Sequence, residues 1–291
     1  VSDWSSDVCS SDLMSSLLNI AANGDSDTGF YEFPIDQSLR FNGSSTYLKR
    51  TPASEGDRKH WTFSAWVKRC ALETSQTLIS SGTTSVYSDG IFIIYFYEDK
   101  IYVYNDANFG GSSQRIHTNA VFRDTNAWYH IVVAYDTTNG TAGDRVRIYV
   151  NGVEETVGIT PPNYDYGMNK ASTKMAFGVA SWGGSPNYDG YCAEFVHLDG
   201  QYLDETSFGE FKNGVWVPKL ITDHSAFTYG PRGFHLDFSD LSDPFADKSG
   251  NGNDFTASES EMTDPGGRFY AITRDTPTNN MSRISLMGYS L

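Results

Sequence analysis

Cysteine is scarce in this chain of 291 residues: Cys9, Cys70 and Cys192 are its three thiols, and no two of them form a C-x-x-C pair. Three thiols cannot build a disulfide framework, and the missing pair removes the common zinc pattern. Basic residues are few as well, 21 Lys and Arg against 36 Asp and Glu, for a formal net charge of −15. Phosphate backbones are held by clustered Lys and Arg, so this balance argues against nucleic acid as a partner. No stretch of 18 apolar residues occurs, so no transmembrane helix and no membrane insertion are expected. The segment MSSLLNIAANG, from Met14, lacks a positively charged start and has too short an apolar centre for a secretory signal. Synthesis in a reducing cytoplasm is the expectation that follows.

What the chain does have is period-two alternation, with 39% hydrophobic and 14% aromatic residues to fill a core. HWTFSAWVKR (60–69) places Trp61, Phe63, Ala65 and Val67 on one face and Thr62, Ser64, Trp66 and Lys68 on the other. GIFIIYFY and KIYVYN read as two strands joined by a tight turn at Glu98 and Asp99. SLRF and TYLKR around NGSS read as a compact hairpin. WYHIVVAYD (128–136) carries apolar residues at both parities, which predicts a central strand covered on both sides. DRVRIYVNG, KMAFGVA and DGYCAEFVHLDG complete a set of about ten strands without a long amphipathic helix. Their spacing predicts an all-β, antiparallel two-sheet β-sandwich. Asp204 is expected to cap one helical turn in LDETSFGEF. Beyond it, turn-rich sequence with low apolar density predicts a loosely structured C-terminal arm.

The opening stretch VSDWSSDVCSSDL follows no strand or helix period. It resembles a translated sequencing adapter of the kind carried by metagenome-derived reading frames. The expected organisation is therefore a non-native leader at 1–13, an N-terminal extension at 14–35, the sandwich at 36–215, and an irregular, truncated arm at 216–291.

Two blocks point to a family. WYHIVVAYDTTNGTAGDRVRIYVNGVEE resembles the W-x-H strand, turn and Y-x-N-G ending of laminin-G-like, concanavalin A-like jelly rolls. YDGYCAEFVHLDGQYLDETSFGEF resembles their closing strand and helical turn. SLRFNGSSTYLKR and WTFSAWVKR resemble the opening pair of strands. DTGFYEF, FRDTNAWYH, FGEFKNGVWVPK, YGPRGFHLDFSD, DKSGNGNDFT and DTPTNN together resemble structural proteins of marine tailed bacteriophages. That resemblance implies a tail or fibre protein located in the virion, with other virion proteins as partners and homo-oligomer formation compatible with that role.

Some glucanases share this sandwich, and they use paired carboxylates at alternate positions of one strand. Neither E-x-D-x-x-E nor E-x-D-x-E occurs; Glu154 and Glu155 are adjacent, Glu98 and Asp99 occupy a turn, and Glu259 and Glu261 lie in the polar arm. No His-x-x-x-His pair and no G-x-S-x-G elbow is present, so no catalytic residue is assigned. Glu194 shares strand parity with Cys192, Val196 and Leu198, and a carboxylate on an apolar face needs a partner. The resemblance implies that such an acid ligates a structural calcium, and DKSGNGND offers Asp247, Asn251, Asn253 and Asp254 as further oxygen donors; a hydrogen-bonded Glu194 and a solvated turn are the competing readings. For a sugar, the loops SWGGSPNYDG and PPNYDYGMN offer Trp182, Asn187, Tyr188 and Asp189 with Tyr164, Asp165 and Tyr166 as an aromatic and amide rim. Three functions stand side by side: a non-catalytic lectin for host cell-surface polysaccharide, a structural adaptor without sugar affinity, and a polysaccharide-degrading glycoside hydrolase.

Overall fold

Alternation along β3 (His60–Arg69) sets the layers, because its two rows of side chains meet different partners. Trp61, Phe63, Ala65 and Val67 enter the main core, while Trp66 joins a second cluster on the opposite face. The computed structural model describes residues 30–72, 75–82, 90–106, 115–158, 167–183, 187–221, 227–258 and 271–280. The stretch 1–13, the expected rim residues Tyr164, Asp165 and Tyr166, and Glu259 and Glu261 lie outside the described residues. The chain divides into Val1–Glu32 and Phe33–Leu291. Of the first unit residues 30–32 are described, with the Phe30 and Tyr31 rings edge to face at 5.2 Å. The sandwich belongs to the second.

Two antiparallel sheets pack face to face. The first contains β1 (Ser38–Asn42), β3, β8 (Tyr129–Asp136), β9 (Val146–Val150), β10 (Val153–Glu154), β12 (Asp189–Asp199), β15 (Phe234–Leu236) and β17 (Ile272–Thr273). Its order is β10-β9-β8-β3-β12-β1-β17, with β15 also on β12. The second contains β2 (Leu48–Arg50), β4 (Ser75–Ser81), β5 (Ile91–Tyr97), β6 (Lys100–Asp106), β7 (Arg115–His117), β11 (Met175–Phe177) and β16 (Thr256–Ala257), in the order β16-β2-β11-β4-β5-β6-β7. A small hairpin, β13 (Gly209–Lys212) with β14 (Val215–Pro218), stands apart. The expected jelly-roll sandwich is the fold observed.

Between the sheets Trp61 stacks on Tyr135 at 4.5 Å and Phe177 on Phe195 at 4.2 Å. Each such side chain stabilises the fold by roughly 1.5–3 kcal/mol through burial. The outer face of the first sheet is covered too. Val132, Ala134, Val196 and Leu198 pack under Phe208, Phe227 and Tyr229, and Trp66, Trp128 and Tyr191 meet Trp216. This double cover is why β8 is apolar at both parities. The turns follow their residues: Glu98 and Asp99 take φ of 49° and 63°, and Asn151 and Gly152 take 50° and 77°, values that Asn, Asp and Gly tolerate best. Asp204 caps the short 3-10 turn Glu205–Ser207 by accepting from the Thr206 amide.

Three expectations need correction. SLRF and TYLKR are not a hairpin: β1 and β2 belong to different sheets, paired with β12 and β11. Asn42 Oδ1 accepts the amides of Ser44, Ser45 and Thr46, so NGSS is a corner where the chain changes sheet. The described part of the C-terminal arm is not loose. It supplies β15 and β17 to one sheet and β16 to the other, and Phe234, Leu236, Phe238, Phe245 and Phe255 join the main core. Lastly, Glu194 does not share one face with Cys192, Val196 and Leu198. The pairing of β12 with β3 shifts between Ala193 and Val196, and Glu194 takes φ 50° in the bulge. A bulge exchanges the two faces, so Cys192 enters the main core whereas Val196 and Leu198 join the outer cluster.

Candidate functional site

The residues expected on the rim take three different places. Tyr188 is fully buried, edge to face with Phe41 at 5.8 Å, and its hydroxyl donates to Lys68 O at 2.9 Å. Gly190 leaves room for it, since a Cβ there would sit 2.5 Å from Tyr188 Cζ. Tyr188 is therefore a core residue and not a sugar platform. Trp182 is half-buried and packs against the outer cluster of Ile91, Ile93, Tyr95, Tyr102 and Tyr104. Asn187 donates from Nδ2 to Ser44 O, and Asp189 forms an ion pair with Arg40. The first ties the approach to β12 to the NGSS corner, and the second ties the start of β12 to β1.

The expected calcium ligands are also separated. Glu194 is buried, with its Oε2 2.6 Å from His235 Nε2. Burial alone would lower the His235 pKa, but the Glu194 carboxylate, helped by Asp237 and Asp247, raises it above the ordinary value. The pair is buried and closely hydrogen-bonded. Asp247 accepts the amides of His235, Ser249 and Asn253 and the Ser249 hydroxyl. Asp254 Oδ1 accepts the Asp247 amide. Asn251 Nδ2 donates to Gly230 O and Gly233 O, and Asn253 Nδ2 to Pro231 O and Gly233 O. Asn253 Oδ1 takes the Arg50 guanidinium. These five residues do not gather as one calcium ligand set: Glu194 is paired with His235, both Asp247 oxygens and Asp254 Oδ1 accept protein donors, and a cation at Asn253 would meet Arg50. Among the described residues, no three His, Cys, Asp or Glu side chains gather into a metal-holding group.

The DKSGNGND loop instead walls a cleft. It has a volume of about 540 Å3 and lies where β2, β11 and β16 meet the turn at 230–233. Asn251, Asn253 and Asp254 line it together with Lys49, Arg50, Lys174 and Arg232. Sheet register explains the gathering. Lys49 faces Ala176 on one side and Thr256 on the other, and Lys174 immediately precedes the Met175 that faces Arg50. Arg50 lies over the Phe234 and Phe255 rings, 5.7 and 5.5 Å from their centroids, and donates to Arg232 O at 3.2 Å. Arg232 is fixed from behind: its amide donates to Asp199 Oδ2 at 2.9 Å, and Asp199 Oδ1 accepts the Asp57 amide and Asn169 Nδ2.

Asp247, Asp254 and Asp199 act on the cations at longer range, without ion-pair contact. None of the four cations takes part in an ion pair among the described residues. Burial, with the like charge of Arg232, brings the Arg50 guanidinium down to about 10 despite Asp247, Asp254 and Asp199 nearby. Burial and then the charge of Lys49 lower Lys174. Sequence reasoning missed all four. The signal was present: Lys49, Arg50 and Lys174 lie on or beside strands of an otherwise acidic chain, but their adjacency depends on β2 pairing with β11.

Comparison with known proteins agrees with this architecture. A carbohydrate binding protein structure from Bacteroides ovatus, so described in its name, aligns at 19% identity and a TM-score of 0.53, over 77% of this chain and 58% of that one. A heptameric SAP-like pentraxin from Limulus polyphemus aligns at 15% identity and a TM-score of 0.44, over 58% of this chain and 78% of its own. The LG4-5 domains of the mouse laminin alpha1 chain align at 14% identity and a TM-score of 0.38, over 62% and 46%. No curated protein matches the sequence. Among the described residues no helix is long and apolar enough to cross a membrane. The family model for the concanavalin A-like lectin/glucanases superfamily matches residues 42–200, more than half of the chain, and with the two sheets described above this makes the protein a member of that superfamily.

Proposed function

We infer that the protein is a non-catalytic lectin that binds a glycan in the cleft between β2, β11, β16 and the 230–233 turn. The observation that carries this reading is the cleft itself: its volume lies in the range of small-ligand sites, and it opens beside amide, hydroxyl and charged groups. Absence of catalysis is supported by the fate of the buried carboxylates. Glu194 serves His235, Asp199 holds the backbone of Asp57 and Arg232, and Asp275 holds Lys68, which leaves none of them as an acid–base partner for a glycosidic bond.

A place in a bacteriophage virion, where the lectin would meet host surface polysaccharide or neighbouring subunits, is supported by the phage-like segments. YGPRGFHLDFSD and DKSGNGNDFT build the cleft, and DTPTNN follows the last strand of the first sheet, where its Asp275 holds Lys68. A glycan array followed by calorimetric titration of the best oligosaccharide tests the lectin reading. Micromolar to millimolar binding without release of reducing sugar is the expected result. An array on which no glycan binds overturns it in favour of a structural adaptor, and release of reducing ends overturns it in favour of a hydrolase.

A further inference from the structure

The cleft also speaks to the class of sugar, an inference that rests on the lectin reading above. Four of the chain's 21 Lys and Arg, Lys49, Arg50, Lys174 and Arg232, line this one space against a single carboxylate, Asp254. That carboxylate is already used, since its Oδ1 accepts the Asp247 amide. A neutral glycan would leave this charge unanswered. Asp199 and Asp247 stand behind the cleft and offset part of this charge; the like charges that remain repel one another, and a bound oxyanion would relieve that repulsion.

Three further observations favour an anion over solvent alone. The Arg232 Nε is buried and has no hydrogen-bond partner, a state that is unfavourable until an acceptor arrives. Arg50 is held over two phenylalanine rings, so little of its side-chain freedom is lost on binding, and Asp199 fixes the Arg232 backbone at the cleft wall. The net charge of −15 means that the chain as a whole repels polyanions, so the cleft is a local reversal of sign and not part of a generally basic surface.

We propose that the ligand of this cleft is an acidic polysaccharide, whose sugar carboxylate or sulfate group is held by Arg232, Lys174 and Lys49. Arginine presents a planar fork of donors that suits both oxyanions, and lysine adds point charge beside it.

The test uses the full chain and three families of oligosaccharide in calorimetric titrations: alginate (carboxylate), carrageenan (sulfate) and laminarin (neutral). Binding of an acidic oligosaccharide, with laminarin at least tenfold weaker, is the expected result, and the two acidic arms decide which oxyanion is read. Lys49→Gln/Lys174→Gln and Arg232→Gln should each weaken acidic binding by roughly tenfold or more, the scale of a lost charge-assisted hydrogen bond. Arg232→Lys should recover part of the loss. The melting temperature of the lysine double variant guards against a folding artefact, because both side chains are partly exposed. Tight laminarin binding that ignores these substitutions would overturn the acidic class and leave the lectin reading intact. Acidic binding unchanged in both variants would overturn the placement in this cleft. Failure of all three sugars, together with a blank glycan array, would overturn both readings.

Discussion

His235 Nε2 stands 2.6 Å from Glu194 Oε2, with side-chain exposures of 7% and 6%. The pair joins β15 to the bulge of β12, so a segment that reads as a loose arm is fastened to the centre of the sheet. Breaking a buried pair from one side typically costs about 3–5 kcal/mol. Glu194→Gln keeps the shape and removes the charge, and it should lower the unfolding free energy by that amount in guanidinium titrations. The raised His235 pKa fixes the sign with pH. Its stabilisation is complete below the unfolded value near 6.5 and is lost as pH rises through the higher folded value. The His235 component, read as the difference between wild type and Glu194→Gln from pH 6 to pH 9, should fall with rising pH.

Because His235 occupies Glu194, a chelator should leave the melting temperature unchanged within about a degree. A drop with chelator that disappears in Glu194→Gln would instead make Glu194 a metal ligand, by the mass-action link between binding and stability.

Two other histidines act in the opposite direction. His130 lies between the Trp66 and Trp216 rings at 4.7 and 5.9 Å, accepts from Trp216 Nε1 and donates to Ser64 Oγ. His197 donates to Asn169 Oδ1 at 2.8 Å. Burial brings both pKa values down to about 3. Between that value and 6.5 the unfolded chain binds protons that the folded chain refuses, so stability falls as pH drops below about 6.5. Each histidine should contribute a slope approaching 1.4 kcal/mol per pH unit. Equilibrium unfolding between pH 7 and pH 4 measures it, and His130→Gln should remove about half of the slope.

Trp182→Ala separates packing from binding. The ring covers Ile91 and its neighbours beside Gly82, where an added Cβ would lie 3.3 Å from Trp182 Cε3. Truncation should destabilise the fold by about 1–3 kcal/mol, less than for a fully buried aromatic, and leave glycan affinity unchanged. A loss of affinity at constant stability would return the sugar site to the 181–190 loop.

Lys68 Nζ lies 2.9 Å from Asp275 Oδ2 and 2.7 Å from Asn280 Oδ1, and Trp128 Nε1 donates to Asp275 Oδ1 at 3.2 Å. Asp275→Asn removes the negative charge that Lys68 meets and should cost about 3–5 kcal/mol, whereas Lys68→Met/Asp275→Leu should recover much of that loss. Chemical denaturation of the two variants makes the comparison.

Strand identity was legible in the sequence because period two is written in residue type; β3, β8 and β9 stand where their alternation places them. Sheet membership was not. The NGSS corner has hairpin residues, and only the long-range pairing of β1 with β12 and of β2 with β11 shows that the chain changes layer there. The bulge at Glu194 was hidden for a similar reason, since one extra residue exchanges the faces without altering composition. Tyr188 and Trp182 looked alike as loop aromatics, and burial alone divides them. The cationic cleft was illegible because its residues are 182 positions apart at the Arg50 to Arg232 contact.

The pairing of β1 with β17 has a temporal consequence. Ser38 and Leu39 meet Thr273 and Ile272, and Ser38 Oγ donates to Asp275 O across 237 positions. At translation rates of about 5–20 residues per second, the partner of Ser38 emerges on the order of 10–50 s later. Throughout that interval one edge of the first sheet has no partner to close it, and such edges are where nascent β-proteins aggregate. The first sheet is thus completed long after its first strand is made, and its yield in any host will depend on what shields that edge until Ile272 and Thr273 emerge.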